Sequence, residues 1–523
     1  MAQLRAARQP AGILTHQPSF GHHVQKIQCR VPSSRCRTPL VWVNSYNMEP
    51  IRRPNILIML TDQLRAMSTP PLETQVALPA MEAMQREGVR FDHTVSSCPL
   101  CTPYRGMFMT GRYPQTTGMI VNFTSTRASE IGLGDTFAHA GYRTGYVGKW
   151  HLNRGAFPSE SVDFIPEGRA RLGFDYWRAY NCHVDYWNGH VNGHDWDTLQ
   201  WKGYETEGLL EYVREFLAAD DGRPWLLVVS PHQPHWNWRD TCAPDECYRA
   251  VPDHPSVPDS VPEHYRDEAS SCMRHYLAMI VALDEMLANL RRLAGPETLL
   301  LFTSDHGTQM GGQAYPGERG NCWGKCRPHE ESIHVPLFAS WPGHIPAGTV
   351  SNELVTPVDI MPTLCGLAGV PIPRTVEGLD LSEAFLGGTP PTSREDALIM
   401  SFNNYVYSPN LIREDGHEWR GVRTHRFTYV QWREGERMLY DLERDPGQLH
   451  NLAGTAEYAE EEARLERRLR ELLDARGDDL HPYGYYRDWL DQERRVVRNA
   501  FGPLSHPDEP PDWSLLNPKE PNQ

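Results

Sequence analysis

The residues best equipped for chemistry stand in Ser97-Cys98-Pro99-Leu100-Cys101-Thr102-Pro103-Tyr104-Arg105-Gly106, which runs on to Thr110-Gly111-Arg112. Two cysteines, two prolines and an arginine sit there without an amphipathic period. That is the composition of a rigid turn leading into a helix, not of a core strand. Pro103 fixes φ and suits a first helical turn. A helix starting there puts Cys101 at its positive end, where anions and thiolates are both stabilised. Cys98-x-x-Cys101 also has a redox-dithiol reading. With Cys322-x-x-x-Cys326 it has a four-cysteine zinc reading, which leaves Pro103, Arg105 and the metal-type Asp and His residues below unexplained.

Those further residues recur at the ends of apolar runs. Ile56-Leu57-Ile58-Met59-Leu60 ends at Thr61-Asp62-Gln63. The stretch Tyr142–Leu152 reads as a strand presenting Lys149 and His151, whose i, i+2 spacing puts both on one face of an extended segment. Trp225–Ser230 stops at Pro231-His232-Gln233-Pro234-His235, and Leu299–Ser304 stops at Asp305-His306-Gly307. Short continuous apolar runs suit central strands buried on both faces, and open α/β sheets place ligands at the carboxyl ends of such strands. Taken singly, Asp62 is a helix cap, His232 and His235 are loop histidines, Lys149 and Lys325 are surface lysines, and Arg112 is structural. Four such runs ending alike point to one catalytic edge of an α/β sheet.

The rest of the chain must hold that edge together. At 523 residues two domains are the prior. A first domain over 51–390 is expected to carry the large, mostly parallel sheet flanked by helices. Helices are expected over 270–293, where Met279, Ile280, Leu283, Leu287 and Leu290 recur at helical spacing, and over 356–369. A smaller antiparallel β-sheet plus helix is expected over 391–523, from the pieces 421–423, 427–432 and 438–442 and a charged helix at 456–475 bearing Leu465, Leu469, Leu472 and Leu473 on one face. The aromatic stretch 174–201, with His183, Tyr186 and Trp187, suits a wall for a sugar or aryl ring, or a packed insertion.

Composition narrows the classes. A net charge of −16 argues against a nucleic-acid partner, which needs a basic face. Eleven scattered cysteines in a long chain are not a disulfide framework. No run approaches the ~18 apolar residues of a membrane span, and no apolar core of the ~7–15 residues of a signal peptide is present. The cytoplasm is the default expectation. Residues 1–50 read as disordered, or as a spurious extension upstream of Met48, with an acid-poor targeting stretch as the alternative.

The pattern Cys101-x-Pro103-x-Arg105 followed by Thr110-Gly111-Arg112 resembles the signature of the type I sulfatases, of alkaline phosphatase-like fold. Pro54-Asn55-Ile56-Leu57 with Asp62-Gln63, Gly148-Lys149-Trp150-His151, Pro231-His232, Thr303–Gly307 and Gly324-Lys325 match further segments of that family in order. Gly421–Thr424, Leu439–Leu442 with Asp445-Pro446, and Asn451-Leu452 resemble its smaller C-terminal domain. Gln63 stands where many members have a second acid, and His306 where some have Asn.

The resemblance implies that Cys101 is oxidised to formylglycine by a formylglycine-generating enzyme. The hydrated aldehyde can shed sulfate by collapse, without a second hard displacement. It implies a divalent ion, usually Ca²⁺, held by Asp62, Gln63, Cys101, Asp305 and His306; oxygen ligands also admit Mg²⁺, and His306 admits Mn²⁺. Lys149, Lys325 and Arg105 would balance charge, and Asp305 would activate the nucleophile. His232 with Lys325 would protonate the leaving alcohol, and His151 would take the proton that releases sulfate. His183 and His235 are candidate substrate contacts. The substrate would be an organic sulfate, above all a sulfated carbohydrate. A phosphonate monoester or phosphate diester hydrolase on the same scaffold is the alternative, and an unmodified binding protein the third.

Overall fold

The computed structural model describes residues 53–154, 164–194, 197–238, 240–312, 323–402 and 418–517. The expectations for residues 1–50 and for Cys322, one of the four cysteines of the zinc reading, lie outside the described residues.

In chain order the strands are β1 (Asn55–Thr61), β2 (Val89–Thr94), β3 (Arg143–Lys149), β4 (Tyr176–Tyr180), β5 (His190–Asn192), β6 (Thr198–Gln200), β7 (Trp225–Ser230) and β8 (Thr298–Ser304). A short antiparallel pair, β9 (Gln309–Met310) and β10 (Trp323–Gly324), precedes β11 (Leu337–Ser340) and β12 (Thr349–Val355). The main sheet runs β12-β2-β11-β8-β1-β7-β3-β4-β5-β6. Its centre, β8-β1-β7-β3-β4, is parallel throughout. β11 and the β4-β5-β6 edge pair antiparallel.

The apolar runs form central strands because both faces are covered. Leu57 and Met59 of β1 pack into a core with the helices Glu205–Ala218 and Arg266–Ala294, while Ile56, Ile58 and Leu60 pack into another with Cys101–Thr110 and Pro357–Ala368. β7 and β8 alternate in the same way. Each residue therefore points into a helical layer, and an unbroken apolar sequence is what the position selects. The helix anticipated over 270–293 falls within Arg266–Ala294, and that over 356–369 is Pro357–Ala368, one residue shorter at each end; it starts at a capping box in which Asp359 accepts from the Thr356 amide at 2.8 Å.

A second sheet, β13 (Asp396–Ser401), β14 (Trp419–Thr424), β15 (Phe427–Trp432) and β16 (Arg437–Asp441), is antiparallel in sequence order. One face packs on Leu465 and Leu469 of the helix Ala459–Asp474; Leu472 and Leu473 join that contact half-buried. The other face packs on Val95, Ile333 and Leu354 beside the main sheet. β13 was not anticipated. Its Ala397–Met400 run is covered on both faces, so it shows no alternation to read. Among the described residues no helix is long and apolar enough to cross a membrane.

Candidate active site

β8, β1, β7 and β3 are adjacent and parallel, so their carboxyl ends share one edge. Thr61 pairs with Ser304 and Gly148 with Ser230. That register delivers Asp62, Asp305, His232 and Lys149 to one place. Cys101 arrives from beneath the sheet face as the first residue of the helix Cys101–Thr110, two residues earlier than the Pro103 start expected. Leu100 is extended before it, and the free amide of Thr102 donates to Asn122 Oδ1 at 3.0 Å.

Asp62, Cys101, Asp305 and His306 are all buried, and their ligand atoms lie within 4.8 Å of one another. His306 Nε2 is 3.4 Å from Cys101 Sγ and 4.0 Å from Asp62 Oδ1. Behind them, Arg105 has no solvent exposure. It donates from Nε to Asp305 Oδ2 (3.2 Å), from Nη2 to Asp62 Oδ2 (3.3 Å), and from Nη1 to the Lys149 carbonyl and Ser230 Oγ (2.9 Å each). Protein acceptors thus engage a guanidinium expected to balance charge on substrate; it fixes the two carboxylates relative to β3 and β7. Burial and the charge of Asp62 push the Asp305 carboxyl up. Burial and Cys101 also oppose ionisation of Asp62, but Lys149, at 2.6 Å, together with His235 and Lys325, outweighs them and holds it well below the usual carboxylate range.

Two lysine–imidazole pairs border the cluster. Lys149 Nζ donates to His232 Nε2 at 3.0 Å, and Lys325 Nζ donates to His235 Nε2 at 3.0 Å. Burial and the adjacent ammonium depress both imidazoles, His235 to about 4 and His232 well below its ordinary value. Each ring is therefore neutral with Nε2 as acceptor and the proton on Nδ1. In His235 that proton faces the Trp236 carbonyl at 2.9 Å; in His232 it has no protein partner. Lys149 and Lys325 stand 3.9 and 3.0 Å from Cys101 Sγ. Burial alone would raise the Cys101 thiol, but Lys149, Lys325 and His306 carry it well below its ordinary value. Cys98, buried beside Cys326, is pushed up instead. The described cysteines of the zinc and redox readings, Cys98, Cys101 and Cys326, are free, and of the three only at Cys101 do the neighbouring cations outweigh burial.

Three non-glycine residues at the site hold positive φ: Gln63 (69°), His151 (55°) and Cys326 (68°). Such strain is retained where surrounding structure over-determines it. At His151 it replaces the expected strand alternation. β3 ends at Lys149, and a left-handed residue, not the pleat, turns His151 toward Cys101 and Cys182. Burial opposes its charged form, and those two sulfurs outweigh burial and raise its pKa. At Cys326 the turn is clamped on both sides. Its amide donates to the Pro99 carbonyl (3.1 Å), and its carbonyl accepts from Trp419 Nε1 of β14 (3.0 Å), which sets Lys325 over the sulfur.

His235 lies inside the cluster, 4.0 Å from Asp62 Oδ1. His183 lies outside it. Its ring packs on Tyr180 at 4.0 Å and Trp201 at 5.6 Å, and its Nε2 is 3.0 Å from the His190 carbonyl. Tyr180 in turn sits 6.1 Å from the His232 ring, and both Tyr180 and Trp201 are buried in the core, so this part of the aromatic stretch packs behind the site. Ser230, Asn122 and Glu205 were missed. Glu205 is buried, accepts from the Tyr180 hydroxyl, and accepts from the His232 amide at 3.3 Å. An acid opening a helix next to an aromatic run was the available signal.

The donor set fits a hard divalent ion. Asp62 Oδ1 and Gln63 Oε1 are buried without a hydrogen-bond partner, and Gln63 Nε2 donates to Thr308 Oγ1 at 3.0 Å. That bond leaves the amide oxygen as the free atom, on the residue that follows Asp62 and whose own amide N–H donates to Asp305 Oδ1 at 3.1 Å.

Buried carboxylates, imidazoles and ammonium groups around one side chain, on the carboxyl edge of a parallel sheet, define a hydrolase for tetrahedral anionic esters. The comparisons make the class specific. The sulfatase family model matches residues 54–370, and the model of the C-terminal region of N-sulphoglucosamine sulphohydrolase matches 317–475. An ulvan-active sulfatase of Formosa agariphila is 32% identical over 449 residues, covering 83% of this chain and 84% of its own. An endo-4-O-sulfatase of Bacteroides thetaiotaomicron is 28% identical, covering 72% and 81%. A solved structure from work on glycosaminoglycan metabolism in the same bacterium superposes with a TM-score of 0.72 at 24% identity, over 84% of this chain and 98% of that one. The chain belongs to the sulfatase family and is a sulfuric ester hydrolase of alkaline phosphatase-like fold.

Proposed function

We propose that the chain removes sulfate from a sulfated carbohydrate, with Cys101 matured to formylglycine and Ca²⁺ held by Asp62, Gln63, Asp305 and His306. The observation that carries this reading is the approach of Lys325 and Lys149 to Cys101 Sγ, at 3.0 and 3.9 Å, opposite a carboxylate–imidazole cluster. Sγ marks the place of the oxygens that maturation would install. Hydrated formylglycine supplies one hydroxyl to attack sulfur and a second to expel sulfate, and the ion supplies positive charge for the sulfuryl oxygens.

The chain's own groups do the rest. Arg105 holds Asp62 and Asp305 in place. Lys149 and Lys325 bring two ammonium charges to the oxygens on which negative charge develops. Lys325, backed by His235, carries the proton for the leaving alcohol, and His151 accepts the proton whose removal releases sulfate. Trp187, the exposed indole of the aromatic stretch, offers a ring face to a sugar. The names of the relatives, active on ulvan and as an endo-4-O-sulfatase, support a carbohydrate.

The test is the full chain co-expressed with a formylglycine-generating enzyme, assayed on sulfated glycans, an aryl sulfate, an aryl phosphonate and an aryl phosphate diester, beside Cys101→Ala. Glycan desulfation lost in Cys101→Ala is expected. A dominant phosphonate or diester rate overturns the reading, as does a Cys101 peptide whose mass remains that of the thiol.

A further inference from the structure

The segment after residue 475 lies beyond both family matches, yet it reaches the site. Arg494 donates from Nη2 to the Asn122 carbonyl at 3.2 Å, and its guanidinium carbon lies 5.9 Å from the centre of the Phe123 ring. Phe123 meets the His151 ring edge-on at 4.8 Å, and Asn122 Oδ1 accepts from the amide of Thr102, the residue after Cys101. The guanidinium therefore stands one aromatic ring beyond the imidazole that borders Cys101. Phe123 and Arg494 both hold left-handed backbone, at φ 60° and 61°. Strain of that kind gathers at ligand sites.

The charge of Arg494 is unmatched. Among the described residues no carboxylate pairs with it, its Nε has no partner, and burial lowers its pKa with only Tyr483 to offset it. Arg498 shares an unpartnered Nε and lies over the Tyr485 ring, but two other arginines nearby differ. Arg495 pairs with Asp491 at 2.9 Å, and Arg154 takes Glu493 at 2.7 Å. A partly exposed guanidinium with no carboxylate beside it can take its anion from a ligand. A planar guanidinium with free donors suits a carboxylate or a sulfate.

We propose that Arg494 and Phe123 form a second anion subsite, which binds a carboxylate or a second sulfate on the sugar next to the one being desulfated. This rests on the carbohydrate reading and narrows it to polyanionic glycans.

The test is calorimetric binding to the full chain carrying Cys101→Ala, which cannot turn substrate over. Three disaccharides are compared: one sulfate only, one sulfate plus a uronate carboxylate, and two sulfates. At least one dianionic sugar is expected to bind about tenfold tighter than the monosulfate. Arg494→Ala should erase that preference, and Arg494→Lys, which keeps the charge and a donor for Asn122, should retain part of it. The arm that loses its preference identifies the anion. Equal affinities in the parent overturn the subsite, as does a preference that survives Arg494→Ala or an equal loss on all three sugars. Failure of the subsite stays separate from failure of the function, because the matured chain's glycan and aryl sulfate turnover is measured independently.

Discussion

Lys325 reaches His235 across 90 residues of sequence and donates to its Nε2 at 3.0 Å. Acting as one proton-donating unit, the two should not be additive. Lys325→Ala and His235→Ala are each expected to lower kcat by roughly 10²-fold or more, and the double variant by little beyond the worse single. The loss should be larger on an alkyl sulfate, whose leaving oxygen needs a proton, than on a nitroaryl sulfate. Equal losses on both esters would remove Lys325 and His235 from leaving-group protonation.

Gln63 presents an unpartnered buried oxygen because its amide nitrogen is the atom that donates to Thr308 Oγ1. Ca²⁺ is expected to raise the Tm of the wild-type chain and to be retained on gel filtration, read by elemental analysis. Asp62→Ala should abolish both effects. Gln63→Ala should weaken Ca²⁺ binding, and Gln63→Glu should preserve it. A wild-type Tm indifferent to calcium, magnesium and manganese alike would argue against the ion site.

Gly148 lets β3 pass β7 one residue before Lys149. A Cβ there would lie 2.2 Å from the Ser230 carbonyl oxygen, at φ 101°. Gly148→Ala is expected to cost about 2–4 kcal/mol in denaturant unfolding and to lower activity, since Lys149 and Ser230 both shift. Gly141→Ala is the control. Its φ is 87° with nothing within 4 Å, so it should cost only the backbone term, roughly 1 kcal/mol.

Glu205 is the pH-sensitive support behind His232. Burial pushes its carboxyl from 4.5 up to about 8. Between those values the folded chain keeps a proton that the unfolded chain has lost. Stability from this residue therefore falls as pH rises through the window, by an amount on the order of a few kcal/mol. Subtracting the Glu205→Gln unfolding profile from that of the wild type should expose this slope. A difference flat from pH 5 to 8 would show that Glu205 is ionised in the fold.

The site was legible where the sheet dictates it. Asp62, His232 and Asp305 follow runs that are apolar because both faces of β1, β7 and β8 are covered, and the edge they share was readable from that recurrence alone. Which lysine meets which imidazole was not. Lys149 with His232 and Lys325 with His235 join distant segments, and nothing local distinguishes the two histidines flanking Gln233-Pro234. The turn at His151 departs from strand alternation through one positive φ on a residue type that rarely adopts it. β5 and β6, three residues each, are too short to carry a period. Arg494 looks like one more arginine in a charged run, and only the fold sets its guanidinium at the Asn122 carbonyl and the Phe123 ring.

The indole of Trp419, seated on the Cys326 carbonyl, ties the reach of Lys325 to a strand almost a hundred positions further along. A gene truncated near codon 390 would encode every proposed ligand and both ammonium groups, yet it would deliver Lys325 on a loop that keeps its Pro99 clamp and loses the Trp419 one. The overlap of the two family matches across 317–370 straddles that loop. Exchanging C-terminal portions between relatives would therefore alter turnover along with recognition, and chimeras should be joined outside this span.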